Sequence, residues 1–266
     1  MKRIITAVIL IPISLLIVKY APPEVYLIGI GALGALCLHE YHGLVKAMGV
    51  RPMRVFGFVC FWGLLIALRW LPAIPVVATA LIATFLAAMW QYRLPIRERA
   101  LSLMAEVLGI FYFAVFLYTA IPTRYDFPHG LYWTIVLLAV VWAGDTFALA
   151  VGKTCGRTRF AAKLSPGKTN EGALGGLAGG ILVAVLLQHF LFNELPLVHV
   201  IAVSILAGVF GQLGDLAESM LKRAAEVKDS SHLIPGHGGA LDRLDSLLFA
   251  FPVLYVYLSF LYRTHV

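Results

Sequence analysis

The sequence is poor in charge and in cysteine, and it lacks the usual phosphate-binding loop. Only 13% of its 266 residues are charged and 61% are hydrophobic, whereas soluble domains carry about 25% charged residues, so an ordinary soluble domain is excluded. Its three cysteines show neither CxxC spacing nor the number for a disulfide framework, and the two in apolar spans are interpreted as packing residues. Two Gly-Lys-Thr triplets, at 152–154 and 167–169, are not Walker A motifs, because Phe147 and Ala162 stand where that motif needs its first glycine.

Acidic residues are scarce in the first half of the chain. Nine of the 14 lie between Asp145 and Asp245, and only five precede Asp145. Carboxylates are costly near a bilayer and mark functional positions there. We therefore predict one integral-membrane domain over 1–266, in which 1–130 forms scaffold spans and 131–266 carries the catalytic spans and cytoplasmic loops.

Long apolar runs indicate an all-α polytopic membrane protein. A membrane span needs about 20 predominantly apolar residues. We predict nine spans, at roughly 4–20, 23–38, 55–72, 73–91, 104–122, 131–151, 173–193, 198–216 and 244–262. Lys2 and Arg3 precede an apolar run as in a signal peptide, but no small-x-small cleavage site follows, so we expect an uncleaved first span.

Basic residues set the predicted orientation. With nine spans and a cytoplasmic N-terminus, 17 of the 21 Lys and Arg residues fall on the cytoplasmic side, and the other side holds Lys19, Arg69, Arg124 and Arg263. This bias predicts a positive-inside topology with an odd number of spans and a polar site at the cytoplasmic face. The net charge of +7 is then explained by basic residues that set the topology and contact anionic lipid. No nucleic-acid partner is therefore expected.

The densest polar chemistry lies between residues 215 and 245, flanked by two apolar segments. Two predicted helical faces carry it: Asp215, Glu218, Ser219 and Lys222 on the first, and Asp242 and Asp245 on the second. The Pro-Gly-His-Gly-Gly run at 235–239 cannot remain regular helix and lets the backbone approach a ligand. So many carboxylates at a membrane boundary indicate a hard cation or a reaction.

A second polar stretch precedes the first in the chain. Asp145 lies about 9 Å inside the predicted end of its span, at 1.5 Å per residue. An ionisable group at that depth is a functional candidate, and the alternative is a structural aspartate satisfied by a neighbouring span. The basic loop at 152–172 can hold phosphates through lysines and backbone amides. A ligand-free positive-inside loop is the alternative, but the run from Ser165 to Gly172 is too structured for it.

Two further patterns receive a structural interpretation. Gly172, Gly175, Gly176, Gly179 and Gly180 have small-xxx-small spacing, which predicts close helix packing within or between subunits and leaves a homodimer open. His39-Glu40-x-His42 suggests a metal site, but adjacent residues on one helix point apart, so we interpret it as an interfacial cluster. Glu40 alone is on the correct side to reach the site.

The motif over residues 219–245 resembles the signature of the phosphatidate cytidylyltransferases (CDP-diacylglycerol synthases). It reads Ser219-x-Leu221-Lys222-Arg223-x4-Lys228-Asp229-x-Ser231-x2-Ile234-Pro235-x-His237-Gly238-Gly239-x2-Asp242-Arg243-x-Asp245. The Asp145-Thr146 pair and the Ser165-Pro-x-Lys-Thr-x-Glu-Gly run are similar to a second conserved region of that family. The resemblance covers essentially the whole chain.

The resemblance implies transfer of the cytidylyl group of CTP to phosphatidate in the bilayer of a bacterial cytoplasmic membrane. It implies catalytic roles for Asp215, Asp242, Asp245, Lys222, Arg243 and Asp145. It implies substrate contacts from Lys168, Ser219, Arg223, Lys228, Asp229, His237, Gly238 and Gly239. A purely structural role is the alternative for His237. Magnesium is the implied cofactor, with a second cation left open; its implied ligands are Asp215, Asp242 and Glu218.

Two other functions fit a polytopic protein with a polar face. A CTP-dependent polyprenol kinase of the dolichol kinase type would transfer the γ-phosphoryl group to an alcohol and release CDP. A transporter would place charges near mid-bilayer and show inverted repeats, whereas here the polar residues crowd one interface and no repeat is evident.

Overall fold

The computed structural model of the chain describes residues 2–231, 233 and 238–262. Within these residues it contains no strand, and an isolated bridge joins Arg159 and Thr169. Ten helices follow one another: α1 (Lys2–Tyr20), α2 (Pro23–Ala47), α3 (Arg54–Trp70), α4 (Ala73–Trp90), α5 (Ile96–Tyr118), α6 (Ala120–Tyr125), α7 (Gly130–Cys155), α8 (Asn170–Phe190), α9 (Leu197–Ala224) and α10 (Leu241–Leu261). The predicted all-α fold is confirmed.

The number of long helices agrees with the predicted number of spans. Nine helices in the described part of the chain have 17 residues or more, and α6 is a short helix that continues α5. Seven spans satisfy both the length and the hydropathy of a membrane crossing, with α5 and α6 counted as one. Helix α3, with 17 residues, is one residue too short to be counted, and the apolar stretch described in α1 is Ile11–Tyr20.

Prolines mark where several helices begin. Pro23 opens α2, and Pro72, Pro95 and Pro196 stand at the N-caps of α4, α5 and α9. A proline is tolerated there because the first N–H groups of a helix have no intrahelical partner. The short connection between α1 and α2 is therefore a point where prolines end one helix and begin the next.

Several helices extend past the predicted apolar windows. The window at 23–38 becomes α2, which ends at Ala47, and the window at 198–216 becomes α9, which ends at Ala224. Hydropathy falls where charged residues begin, whereas backbone hydrogen bonding continues through them. The predicted site residues of 215–223 therefore lie on helix.

The helix ends alternate between two faces of the bundle. At one face, Arg124 Nε donates to the Val18 carbonyl at 2.7 Å, and Tyr118 donates to the Leu68 carbonyl at 2.6 Å. At the other face, which we call the polar end, α2, α7 and α9 end and α8 and α10 begin. This alternation is what successive crossings require; which face meets the cytoplasm stays a prediction.

Helix α10 joins two apolar cores. Leu247, Phe251 and Leu254 pack in the core built around α6, α7 and α9. Leu241 and Leu248 pack in the core built around α2, α3 and α5. The polar first turns of α10 are therefore held on a rigid element.

The glycine stripe of α8 packs against α7 of the same chain. A Cβ at Gly176 would lie 2.7 Å from the Gly144 carbonyl oxygen, and one at Gly179 would overlap the ring of Phe147. The predicted close packing is thus found within the chain. The homodimer stays a prediction, and this stripe does not supply its contact.

Candidate active site

Three carboxylates meet at the polar end, between α9 and α10. Asp215, Glu218 and Asp245 each offer an oxygen, and these oxygens all lie within 4.8 Å of one another. Gly214 allows this approach, because a Cβ there would overlap the carbonyl oxygen of Asp245. We call this group the carboxylate cluster.

The carboxylate cluster fits a hard divalent cation. Glu218 has no exposed surface, and its Oε1 accepts no hydrogen bond from the part of the chain that the structure describes. A buried carboxylate oxygen without a donor is costly, and adjacent carboxylates repel one another. An all-oxygen ligand set of this kind suits magnesium, which Asp215, Glu218 and Asp245 would hold together.

Two lysines offset part of the negative charge. Lys168, from the loop between α7 and α8, places Nζ 2.8 Å from Asp215 Oδ2. Lys222, one turn after Glu218, places Nζ 2.5 Å from Glu218 Oε2 and 2.6 Å from Asp242 Oδ1. The cluster is therefore bordered on two sides by ammonium groups suited to phosphate oxygens.

Asp242 lies beside the carboxylate cluster. Its Oδ2 accepts hydrogen bonds from the backbone N–H groups of Ser230 and Gly239 at 2.9 and 2.8 Å, and its Oδ1 pairs with Lys222. Asp245, one helical turn further along α10, is the residue of α10 that belongs to the cluster. The metal-binding role of Asp242 stays a prediction.

The second polar stretch reaches the same place. Asp145 is an exposed residue of α7, and it interacts electrostatically with Asp215, Lys168 and Arg243. Asp245 also interacts with Asp145 and Asp215. Both polar stretches of the sequence thus converge on one site.

The basic loop between α7 and α8 is folded by its own side chains. Thr169 caps α8 by accepting from the Gly172 N–H at 3.1 Å. Glu171 accepts from the N–H groups of Arg157 and Thr158 at 3.0 and 3.2 Å and from the Thr158 hydroxyl at 2.7 Å. Thr169 and Glu171 were not among the predicted site residues. The Thr-x-Glu spacing in the sequence is the pattern that could have indicated their contacts.

Two of the other predicted substrate-binding residues, Ser219 and Arg223, have contacts beside the site. Ser219 Oγ lies 3.4 Å from Asp215 Oδ1, and Arg223 donates to the Leu164 carbonyl of the basic loop at 3.1 Å. Lys228 and Asp229 are exposed. Gly238 has φ of +78°, a conformation that favours glycine. His237 lies outside the described residues.

The side chains of the His39-Glu40-x-His42 motif point in different directions, as predicted. His39 is exposed, whereas His42 Nε2 lies 2.9 Å from Glu106 Oε1 in a buried pair. Glu40 is buried, and its carboxylate contacts the start of α10. The sequence predicted that Glu40 lies on the side of the membrane that carries the polar site, but it did not predict which groups Glu40 contacts.

The chain is similar to known proteins along its length. A sequence profile of the Cytidylyltransferase family matches residues 1–261. A phosphatidate cytidylyltransferase of Bacillus subtilis is 41% identical over 131 residues, which are 49% of this chain and 49% of that protein.

Two further proteins of the same name show similar agreement. The one from Synechocystis is 46% identical over 136 residues, 51% of this chain and 46% of its own length. The one from Haemophilus influenzae is 44% identical over 132 residues, 48% of this chain and 46% of its own length. The aligned region thus spans about half of each relative. Because the family profile covers nearly all of its residues, the chain belongs to the cytidylyltransferase family.

Proposed function

We propose that this protein transfers the cytidylyl group of CTP to phosphatidate, giving CDP-diacylglycerol and pyrophosphate. The carboxylate cluster bordered by Lys168 and Lys222 at one end of a membrane bundle carries the proposal. Its chemistry is that of a site where two highly anionic substrates must meet. The proposal is supported by the family and by three relatives named for this activity.

The reaction needs neutralisation of charge more than it needs a base. A phosphate oxygen of phosphatidate attacks the α-phosphorus of CTP, the bond from the α-phosphorus to the bridging oxygen breaks, and pyrophosphate leaves with that oxygen. The attacking monoester is already largely ionised at neutral pH, because its second pKa is about 6. Lys168, Lys222 and Arg243 therefore bind and orient phosphate oxygens. Bound magnesium would screen the negative charge that the triphosphate and phosphatidate bring together.

The position of the site suits a lipid substrate. Asp145 is exposed on α7, one of the membrane-spanning helices, while the carboxylate cluster lies nearby between α9 and α10. Phosphatidate then keeps its acyl chains in the bilayer while its headgroup enters from the side of α7. In this proposal the site lies at the cytoplasmic face of a bacterial cytoplasmic membrane.

The backbone N–H groups at the start of α10 are not free to bind phosphate. The N–H groups of Gly239, Ala240 and Leu241 all donate to carboxylates of the chain itself, namely those of Asp242 and Glu40. The start of α10 therefore has its donors already engaged, although a free helix N-terminus would attract phosphate. We therefore assign phosphate binding to the side chains of Lys168, Lys222 and Arg243.

Product analysis with labelled CTP tests the proposal. Purified protein in detergent would receive phosphatidate, magnesium and CTP labelled at the α or the γ phosphorus. We expect the α label in the lipid and the γ label in pyrophosphate. A γ label in the lipid would assign the chain to the polyprenol kinase class, and no transfer by folded protein would favour the transporter.

A further inference from the structure

The Glu40 carboxylate binds the two chain segments that flank the Pro-Gly-His-Gly-Gly run. Its Oε1 accepts from the Ser231 hydroxyl at 2.6 Å and from the Ala240 N–H at 2.9 Å. Its Oε2 accepts from the Ser230 hydroxyl at 2.9 Å and from the Leu241 N–H at 2.8 Å. Ser230 and Ser231 precede the run, and Ala240 and Leu241 follow it. One carboxylate of α2 thus ties both ends of this segment together.

From these contacts we infer that Glu40 is a positioning residue for the reaction, although it belongs to the half of the chain predicted as scaffold. Only 3% of its surface is exposed. An ionised carboxylate that deep in a bundle is stable only where donors replace its water. The start of α10 supplies such donors because its first N–H groups have no intrahelical partner.

A chain of contacts leads from Glu40 to the carboxylate cluster. Ser230 Oγ lies 2.9 Å from Glu40 Oε2 and 2.7 Å from Asp242 Oδ2, and its single hydrogen can serve one of them at a time. Asp242 in turn pairs with Lys222, which pairs with Glu218 of the cluster. Glu40 therefore sets the position of Asp242 and Lys222 without entering the cluster.

The packing around Gly239 shows how tightly this arrangement is built. A Cβ at Gly239 would overlap both the Ser230 hydroxyl and the Glu40 carboxylate. Any side chain at Gly239 would separate Ser230 from Glu40. The second glycine of the pair is thus needed because three segments meet there.

The consequence rests on the proposed function: without Glu40 the reaction slows while the substrates still bind. Glu40→Gln keeps the volume but replaces one acceptor oxygen by an amide that faces donors. We expect kcat to fall by about 10-fold to about 100-fold, the range found when partners behind a metal or substrate ligand are removed. The KM for CTP should change much less, because Glu40 touches no predicted phosphate ligand directly.

The matched control is Glu106→Gln, which alters a second buried carboxylate of the N-terminal half. Glu106 accepts from the Met53 N–H at 2.9 Å and pairs with His42, and it makes no hydrogen bond with the described residues among 230–242. Its substitution should lower the melting temperature and leave the kcat of folded protein near that of wild type. Hydrogen–deuterium exchange at residues 238–242 should rise in Glu40→Gln and stay unchanged in Glu106→Gln.

The outcomes separate the inference from the proposed function. Faster exchange at 238–242 together with a selective loss of kcat supports the positioning role. Wild-type kcat in Glu40→Gln, or a kcat loss that Glu106→Gln shares, would overturn it. If the wild-type protein forms no CDP-diacylglycerol, the proposed function fails by itself, and unchanged exchange in Glu40→Gln would still reject the contact on which the inference depends.

Ser231→Ala provides the test if Glu40→Gln does not fold. Ser231 donates to Glu40, accepts from the Leu233 N–H at 3.1 Å, and does not contact Asp242. Its removal takes away one of four donors, so we expect a kcat loss of about 2-fold to about 10-fold, as for one ordinary hydrogen bond. An unchanged kcat and unchanged exchange at 238–242 would reject the inference.

Discussion

Two buried glutamates, Glu106 and Glu218, show how the halves of this molecule differ. Both have no exposed surface. Glu106 accepts a backbone N–H and pairs with His42, so each of its oxygens has a partner. Glu218 lies beside Asp215 and Asp245, and its Oε1 has no hydrogen-bond donor among the described residues. A buried carboxylate that is fully paired stabilises a fold, whereas one packed against other carboxylates is suited to a ligand.

The largest expected effect is the loss of activity in Glu218→Gln. The substitution removes a charge from the carboxylate cluster, so we expect cytidylyl transfer to fall by at least about 100-fold, the upper range for a residue that only supports a ligand. Pyrophosphate release under saturating CTP and phosphatidate measures it.

The same variant, Glu218→Gln, should not lose thermal stability although it loses activity. Without magnesium, Glu218→Gln should melt at or above the wild-type temperature, because repulsion between buried carboxylates is relieved. Magnesium should raise the melting temperature of wild type and have little effect on the variant, since a ligand stabilises the state that binds it. A variant that melts lower than wild type in chelator would make Glu218 a structural residue like Glu106.

Glu106→Gln should produce the opposite pattern, with a smaller effect. The glutamine cannot contact both the Met53 N–H and His42 Nε2 through carboxylate oxygens as Glu106 does, so we expect a loss of about 1–3 kcal/mol in the free energy of unfolding. Activity per folded molecule should stay near that of wild type. Unfolding in a denaturing detergent series, followed by circular dichroism, measures the loss. A loss of activity without a loss of stability would make the comparison with Glu218 untenable.

The smallest expected effect concerns the glycine stripe. In Gly179→Ala the added methyl group overlaps the ring of Phe147, and we expect a loss of about 1 kcal/mol in the same unfolding series, as in mild overpacking. Gly63→Ala is the matched control because a Cβ there meets no atom within 4 Å. Equal stability of the two variants would mean that α7 and α8 adjust freely and do not form the close contact described above.

Much of the fold could be predicted because it depends on local properties. Apolar runs of span length and prolines at helix starts are readable from neighbouring residues alone. Helical geometry likewise places residues spaced i, i+3 on one face. This spacing predicted that Asp215 lies beside Glu218 and that Asp242 lies beside Asp245. The exact helix ends were missed where charged residues continue a helix, as in α2 and α9, because hydropathy does not report backbone hydrogen bonds.

The sequence by itself determined the helical class, the number of long helices among the described residues and the crowding of carboxylates in the C-terminal half. Only the tertiary structure decided which carboxylates meet. Helical spacing could not tell whether Asp242 or Asp245 would join Asp215 and Glu218, because that depends on the depth at which α10 packs against α9. The contact of Glu40 with Leu241, 201 residues away along the chain, likewise depends on packing between distant helices. Local chemistry thus placed the reactive groups on their helices, and long-range packing brought them together.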